Sequence, residues 1–284
     1  MKIIRRDSSF IEGVKISKFQ RFLYNTIAGR VFLKVLTLRF FSCVGGFFMN
    51  SFLSKVFIKS FVRKHEIDLS IYEKQTFKSY NDFFTRKLKK INFNDSDNVL
   101  ISPCDAKLLV ARINKSRVYR IKNTHYYLED ILNDSLLAKE YENGHMLIYR
   151  LEVTDYHRYI FIDEGDVIST KKIKGRLHTV NPIAFRKYDV YKENAREVSV
   201  LNTKNFGKIV QVEVGALMVG KIKNYEINSF KRSEEKGLFL FGGSTIIVLV
   251  KENQVIIDED LLANSQLEFE TMIKIGERVG IKRR

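Results

Sequence analysis

Cysteine and proline are nearly missing from this chain. Its 284 residues contain two of each: Cys43 and Cys104, Pro103 and Pro182. The cysteines lie far apart in dissimilar surroundings, so neither a disulfide framework nor a cysteine zinc site is expected, and a reducing cytoplasm fits best. The prolines stand in motif-like settings rather than in a hinge. No repeat, low-complexity tract or long polar linker divides the chain. Also lacking are the βαβ alternation and the glycine-rich fingerprint of dinucleotide-binding folds. The N-terminus, Met1-Lys2-Ile3-Ile4-Arg5-Arg6-Asp7, is charged at once and carries no signal-peptide core, so export is not expected. Acidic charge is short: 49 Lys and Arg against 33 Asp and Glu leave a formal charge of +16, which implies an anionic partner, nucleic acid or anionic lipid.

Apolar residues are plentiful, at 45% hydrophobic and 12% aromatic, enough for one substantial core. From about Lys18 to Lys64, Phe19, Phe22, Leu23, Ile27, Val31, Phe32 and Val35 recur at helical spacing between basic residues, which predicts amphipathic helices. The uncharged stretch from Phe40 to Ser54 is shorter than the roughly 20 apolar residues of a spanning helix. Two readings stay open for Phe40, Phe41, Phe47, Phe48 and Phe52: entry into a membrane interface beside basic residues, or packing of the helices onto the core. In the block Tyr80 to Lys90, Asn81 or Asp82 is positioned to cap a short helix.

After Asn98 the chain turns to short β-branched runs: Val99 to Ser102, Lys107 to Ile113, Arg117 to Ile121, Met146 to Val153, Tyr156 to Ile162, Glu197 to Leu201, Ile209 to Val214, Leu217 to Ile222, Thr245 to Val250 and Gln254 to Ile257. The expected fold class is α+β, with residues 1–67 a basic, helical, membrane-associating region and residues 68–284 a β-rich core.

Three positions carry residue types suited to a relay of acid, base and nucleophile: Asp105 at a strand end, His157, and Ser244 after Gly242-Gly243. On its own each has a plainer reading as a turn or a packed side chain. The histidines are not spaced with carboxylates as metal ligands, and no metal is expected.

The segments Ser102-Pro103-Cys104-Asp105-Ala106-Lys107, Asp155-Tyr156-His157-Arg158, Val180-Asn181-Pro182, Val214-Gly215-Ala216 and Lys236-Gly237 through Phe241-Gly242-Gly243-Ser244-Thr245 resemble, in that order, the hallmark segments of phosphatidylserine decarboxylase proenzymes. The likeness runs from about Asp68 to Gly280. It implies a self-processing carboxy-lyase. Ser244 would attack the Gly243 carbonyl, elimination would cut the chain between Gly243 and Ser244, and Ser244 would become a covalent pyruvoyl cofactor. That group would then act as the electron sink for decarboxylating phosphatidylserine to phosphatidylethanolamine. The partners implied are phosphatidylserine, an anionic membrane surface at the cytoplasmic face of the cell membrane, and the two cleaved chains as a heterodimer. Nucleic acid is not expected, since no recognition fold accompanies the charge. A homo-oligomer is left open.

One departure stands out. The family pattern Asp-Tyr-His-Arg-x-His assigns its second histidine to the relay, and this chain has Ile160 there. Residues three apart on a regular strand face opposite ways, so His157 could stand in only through a bend or bulge. Slowed self-cleavage is expected, and the alternative is an uncleaved, non-catalytic lipid-binding relative. Ala106, where the family more often carries glycine, is a smaller departure.

Overall fold

The computed structural model describes residues 2–7, 11–37, 39–114, 118–121, 124–217, 222–240 and 242–283. Phe241 of the serine motif and residues 218–221 of the expected strand Leu217 to Ile222 lie outside them, as do Arg117 and the side chains of Phe40, Phe41, Cys43 and His125.

The longest apolar run near the C-terminus forms the middle of the molecule. Ser244–Val250 is buried at every residue and pairs antiparallel with Gly207–Val214 on one side and His145–Leu151 on the other. Burial on both faces is why this run is continuously apolar rather than alternating. Around it the sheet reaches ten strands, in the order Ser229–Phe230, Gly165–Ile173, Arg196–Thr203, Gly207–Val214, Ser244–Val250, His145–Leu151, Ala106–Arg112, Phe269–Ile273, Lys2–Ile4 and Ile11–Gly13. Lys2–Ile4 runs parallel to Phe269–Ile273, and the other neighbours are antiparallel.

The pleat sends Ser244, Ile246 and Val248 to one face and Thr245, Ile247 and Leu249 to the other. Ile247 and Leu249 join an apolar cluster that takes Leu23, Tyr24 and Leu33 from the N-terminal helices. Ile246 and Val248 join a second cluster with Tyr159, Ile160 and Phe239. Those three come from a three-stranded sheet of Ile222–Asn224, Glu235–Phe239 and Arg158–Ile160 laid over that face. Ser244 therefore opens its strand on the side covered by the smaller sheet.

After two short strands, Lys2–Ile4 and Ile11–Gly13, a group of helices precedes most of the strands, giving the α+β architecture that the sequence implied. Lys18–Asn25 begins with a capping box: Gln20 N–H donates to Ser17 Oγ and Ser17 N–H to Gln20 Oε1. Thr26 caps Ile27–Leu36 in turn. Leu23, Tyr24 and Leu33 are buried, yet Ile27 is 75% exposed, Phe47 81% and Phe52 74%. Much of the apolar surface in this region thus faces outward. Among the described residues no helix is long and apolar enough to cross a membrane. Tyr80–Phe84 is capped by Ser79, whose Oγ accepts from the Asp82 N–H, rather than by Asn81 or Asp82.

Gly165–Ile173 was not expected as a strand. It pairs with Arg196–Thr203, but its mostly exposed residues, Lys171 and Lys172 among them, carry no apolar stripe.

Candidate active site

Ser244 and His157 come together; Asp105 does not join them. Ser244 is fully buried at the first position of its strand, where its register partner is Leu151. Its Oγ lies 3.4 Å from His157 Nδ1. That is longer than a formed hydrogen bond of roughly 2.7 Å, and within the slack that an unreacted base and nucleophile show. His157 Nε2 lies 2.9 Å from the Glu152 carbonyl oxygen. A carbonyl can only accept, so Nε2 carries the proton and Nδ1 turns its lone pair to Ser244.

His157 escapes the strand-alternation objection because it is not on a strand. Arg158–Ile160 begins one residue later, and His157 ends the turn that leaves His145–Leu151. Its ring stacks on Phe84 with centroids 4.0 Å apart and is wholly buried. Ile160 is also fully buried, in the cluster with Leu151 and Ile246, and its N–H donates to the Pro103 carbonyl. It is a core residue with no proton to give or take.

Asp105 holds a turn. Its carboxylate accepts from the Ile275 N–H at 2.9 Å and from Lys274 Nζ at 3.0 Å. The carboxylate that acts electrostatically on His157 is Asp155, a residue of the same motif to which the sequence reading gave no role. Burial works against the Asp155 charge, but the Lys107 ammonium and the Glu152 N–H outweigh it and hold the carboxyl below its usual range.

Glycine is needed at Gly242 for conformation, since its φ is 131°. At Gly243 a Cβ would meet Val180 Cγ2 at 3.4 Å and Leu151 O at 3.7 Å, which is ordinary contact. Packing therefore leaves room for a side chain at Gly243, and any demand for glycine there comes from chemistry at its carbonyl.

Burial, with help from the Arg86 and Lys107 cations, lowers the His157 pKa to about 3 against the pull of Asp155. Burial likewise lowers His178 to about 4. Both rings are thus neutral in the folded chain, while unfolded histidine takes a proton near 6.5. Stability is full above pH 6.5 and falls as pH drops toward the folded values, by about 1.4 kcal/mol per pH unit for His157 alone. The thermal midpoint is expected to hold from pH 8 to 7 and to drop steadily from 6.5 to 4.5. A flat midpoint across that lower window would rule out neutral buried rings.

The profile of the phosphatidylserine decarboxylase family matches residues 80–281. Phosphatidylserine decarboxylase proenzyme 2 of Clostridium acetobutylicum is 51% identical over 263 residues, 92% of this chain and 90% of the relative. The phosphatidylserine decarboxylase proenzyme of Clostridium botulinum strain Hall is 42% identical over 96% of each chain. That of Ruminiclostridium cellulolyticum is 40% identical over 95% of this chain and 93% of its own. With the profile spanning most of the chain and these relatives aligned along nearly its whole length, the chain belongs to the phosphatidylserine decarboxylase family of carboxy-lyases.

Proposed function

We propose that the chain cuts itself between Gly243 and Ser244 with His157 as the base, and that the product decarboxylates phosphatidylserine to phosphatidylethanolamine. The observation that carries this reading is the contact between Ser244 Oγ and a histidine whose other nitrogen is already committed to a carbonyl. His157 Nδ1 takes the Ser244 hydroxyl proton as Oγ bonds to the Gly243 carbonyl carbon. The proton then goes to the Ser244 nitrogen as the C–N bond breaks, leaving an ester. Loss of the Ser244 α-proton expels the Gly243 carboxylate, and water replaces nitrogen as ammonia on the residue left behind.

The cofactor implied is made from Ser244 itself, so the test of fit is whether a serine stands after a glycine, buried, with a base against it. This chain meets each condition. The pyruvoyl group would supply an electron sink for the pair released with CO2. The residues around it exclude water, as the full burial of His157 and Ser244 indicates. A cut at this point would leave residues 244–284 joined to the rest, because Ser244–Val250 is hydrogen-bonded to strands on both sides. This favours a tightly held pair of chains.

Residues 1–67 would place this core on an anionic leaflet from the cytoplasmic side. Exposed Ile27, Phe47 and Phe52 enter the interface, and nearby Lys and Arg each add about 1 kcal/mol. The non-catalytic alternative rested on Ile160, and a base already against Ser244 weakens its ground.

Intact mass spectrometry of the purified chain tests the reading. Two fragments breaking before Ser244, the smaller with a blocked N-terminus, are expected. A single 33.3 kDa chain after long incubation would overturn it.

A further inference from the structure

Lys107 is a lysine where packing alone would place an aliphatic residue. It lies on Ala106–Arg112, points to the same face as Leu109, and is 5% exposed. A buried ammonium is costly unless paired. Its partners lie beyond the end of the neighbouring strand, in the turn that precedes His157. Nζ donates to both oxygens of Asp155, at 2.7 and 2.8 Å, and stands 3.6 Å from Glu152 Oε2.

The same turn is closed by Asp155. Its Oδ2 accepts from the Glu152 N–H at 2.7 Å, and its own N–H donates to the Glu152 carbonyl at 2.9 Å. That carbonyl oxygen is also the acceptor for His157 Nε2. Arg86 holds the far side of the turn through the Thr154 carbonyl at 3.1 Å. A chain of short bonds thus runs from Lys107 to Asp155, to the Glu152 peptide and to the His157 ring, whose Nδ1 stands 3.4 Å from Ser244 Oγ.

We propose that Lys107 is a positioning residue for self-cleavage: clamped on Asp155, it fixes the turn whose Glu152 carbonyl holds His157 with Nδ1 toward Ser244. The inference rests on the cleavage reading above and extends it. Lys107 touches neither reacting atom. When Nδ1 takes the serine proton, Asp155 and the Glu152 carbonyl stabilise the resulting imidazolium, and Lys107 keeps both in place.

The test follows fragment appearance, by intact mass, in wild type, Lys107→Met, Lys107→Arg, Asp155→Asn and the double variant Lys107→Met/Asp155→Asn. All are held well below their melting points. Lys107→Met is expected to cleave about 10- to 100-fold more slowly, the loss typical when a group that orients a working side chain is removed. Lys107→Arg should recover most of the rate. The double variant should be no slower than the slower single variant, because the two residues act as a unit. The pH profile should move as well. Charged groups facing His157 are Asp155, Lys107 and Arg86; burial stays the main cause of its low pKa, and removing the Lys107 charge favours the imidazolium, so the acid limb of Lys107→Met should lie at higher pH than that of wild type. A merely structural lysine would lower the melting point and leave the profile in place.

Cleavage of Lys107→Met within about threefold of wild type, with an unchanged profile, overturns the proposal. If Lys107→Met does not fold, the near-isosteric Asp155→Asn decides: a wild-type rate there overturns it equally. A wild-type chain that stays whole instead removes the cleavage reading and this inference with it, an outcome distinct from either.

Discussion

Ser244→Ala is expected to leave one uncut chain of 33.3 kDa at any incubation time, with no blocked N-terminus and no lipid decarboxylation. Cleavage between Gly243 and residue 244 by this route needs an oxygen on residue 244. The effect is total rather than graded because Ser244 is both nucleophile and precursor of the cofactor. The fold should hardly notice. Among the described residues, the Ser244 hydroxyl makes only the long 3.4 Å contact to His157, so its removal strands no well-made bond. The thermal midpoint should stay within a few degrees of uncut wild type, since losing one weakly bonded buried hydroxyl costs about 1 kcal/mol or less. An alanine variant that still yields a fragment beginning at residue 244 would show that an outside protease makes the cut. One that unfolds would show the hydroxyl to be structural.

Much of this was legible in the residues themselves. The Gly242-Gly243-Ser244-Thr245 cluster before an apolar run marked a turn feeding a buried strand, and that strand lies at the centre of the sheet. Runs such as Met146 to Val153, Ile209 to Val214 and Thr245 to Val250 became strands because β-branched residues buried on two faces leave a continuous apolar signal. The signal failed where burial was one-sided or slight. Gly165–Ile173 is the longest strand among the described residues, yet its exposed side chains gave it no pattern to read. Lys2–Ile4 and Ile11–Gly13 are too short for periodicity, and their pairing partners lie on the far side of the sequence or across a short loop.

The site was half legible for a related reason. Residue types and order pointed to Ser244 and His157, but two motif aspartates were on offer, and only the closure of a turn distinguishes them. Asp105 lies where the Ile275 N–H needs an acceptor. Asp155 lies where Lys107 can neutralise it beside His157. Strand alternation made Ile160 look decisive because it presumed that residues 157 and 160 share a strand. Once the strand starts at Arg158, the faces of 157 and 160 are no longer tied. A histidine at the end of a turn is free to aim where the turn sends it, and this turn is held by two buried cations, Lys107 and Arg86.

His157→Gln is the second substitution expected to have a large effect, slowing cleavage by about 10² to 10⁴, the usual value of a positioned general base. Glutamine can keep a bond to the Glu152 carbonyl and can approach Ser244, so geometry is nearly preserved while proton uptake is lost. The remaining rate reflects proximity alone. Cleavage happens once per molecule, so even this variant should mature in part over long incubation, and the comparison must be made on early time courses. The pH profile supplies the second check. Burial holds His157 near 3, so it remains unprotonated and competent from about pH 5 upward, and the wild-type rate should be flat there. A relay histidine near the ordinary 6.5 would lose about tenfold per pH unit below that value. A wild-type profile that bends near 6.5, or a His157→Gln chain that cleaves within about threefold of wild type, would transfer the role of base to another residue.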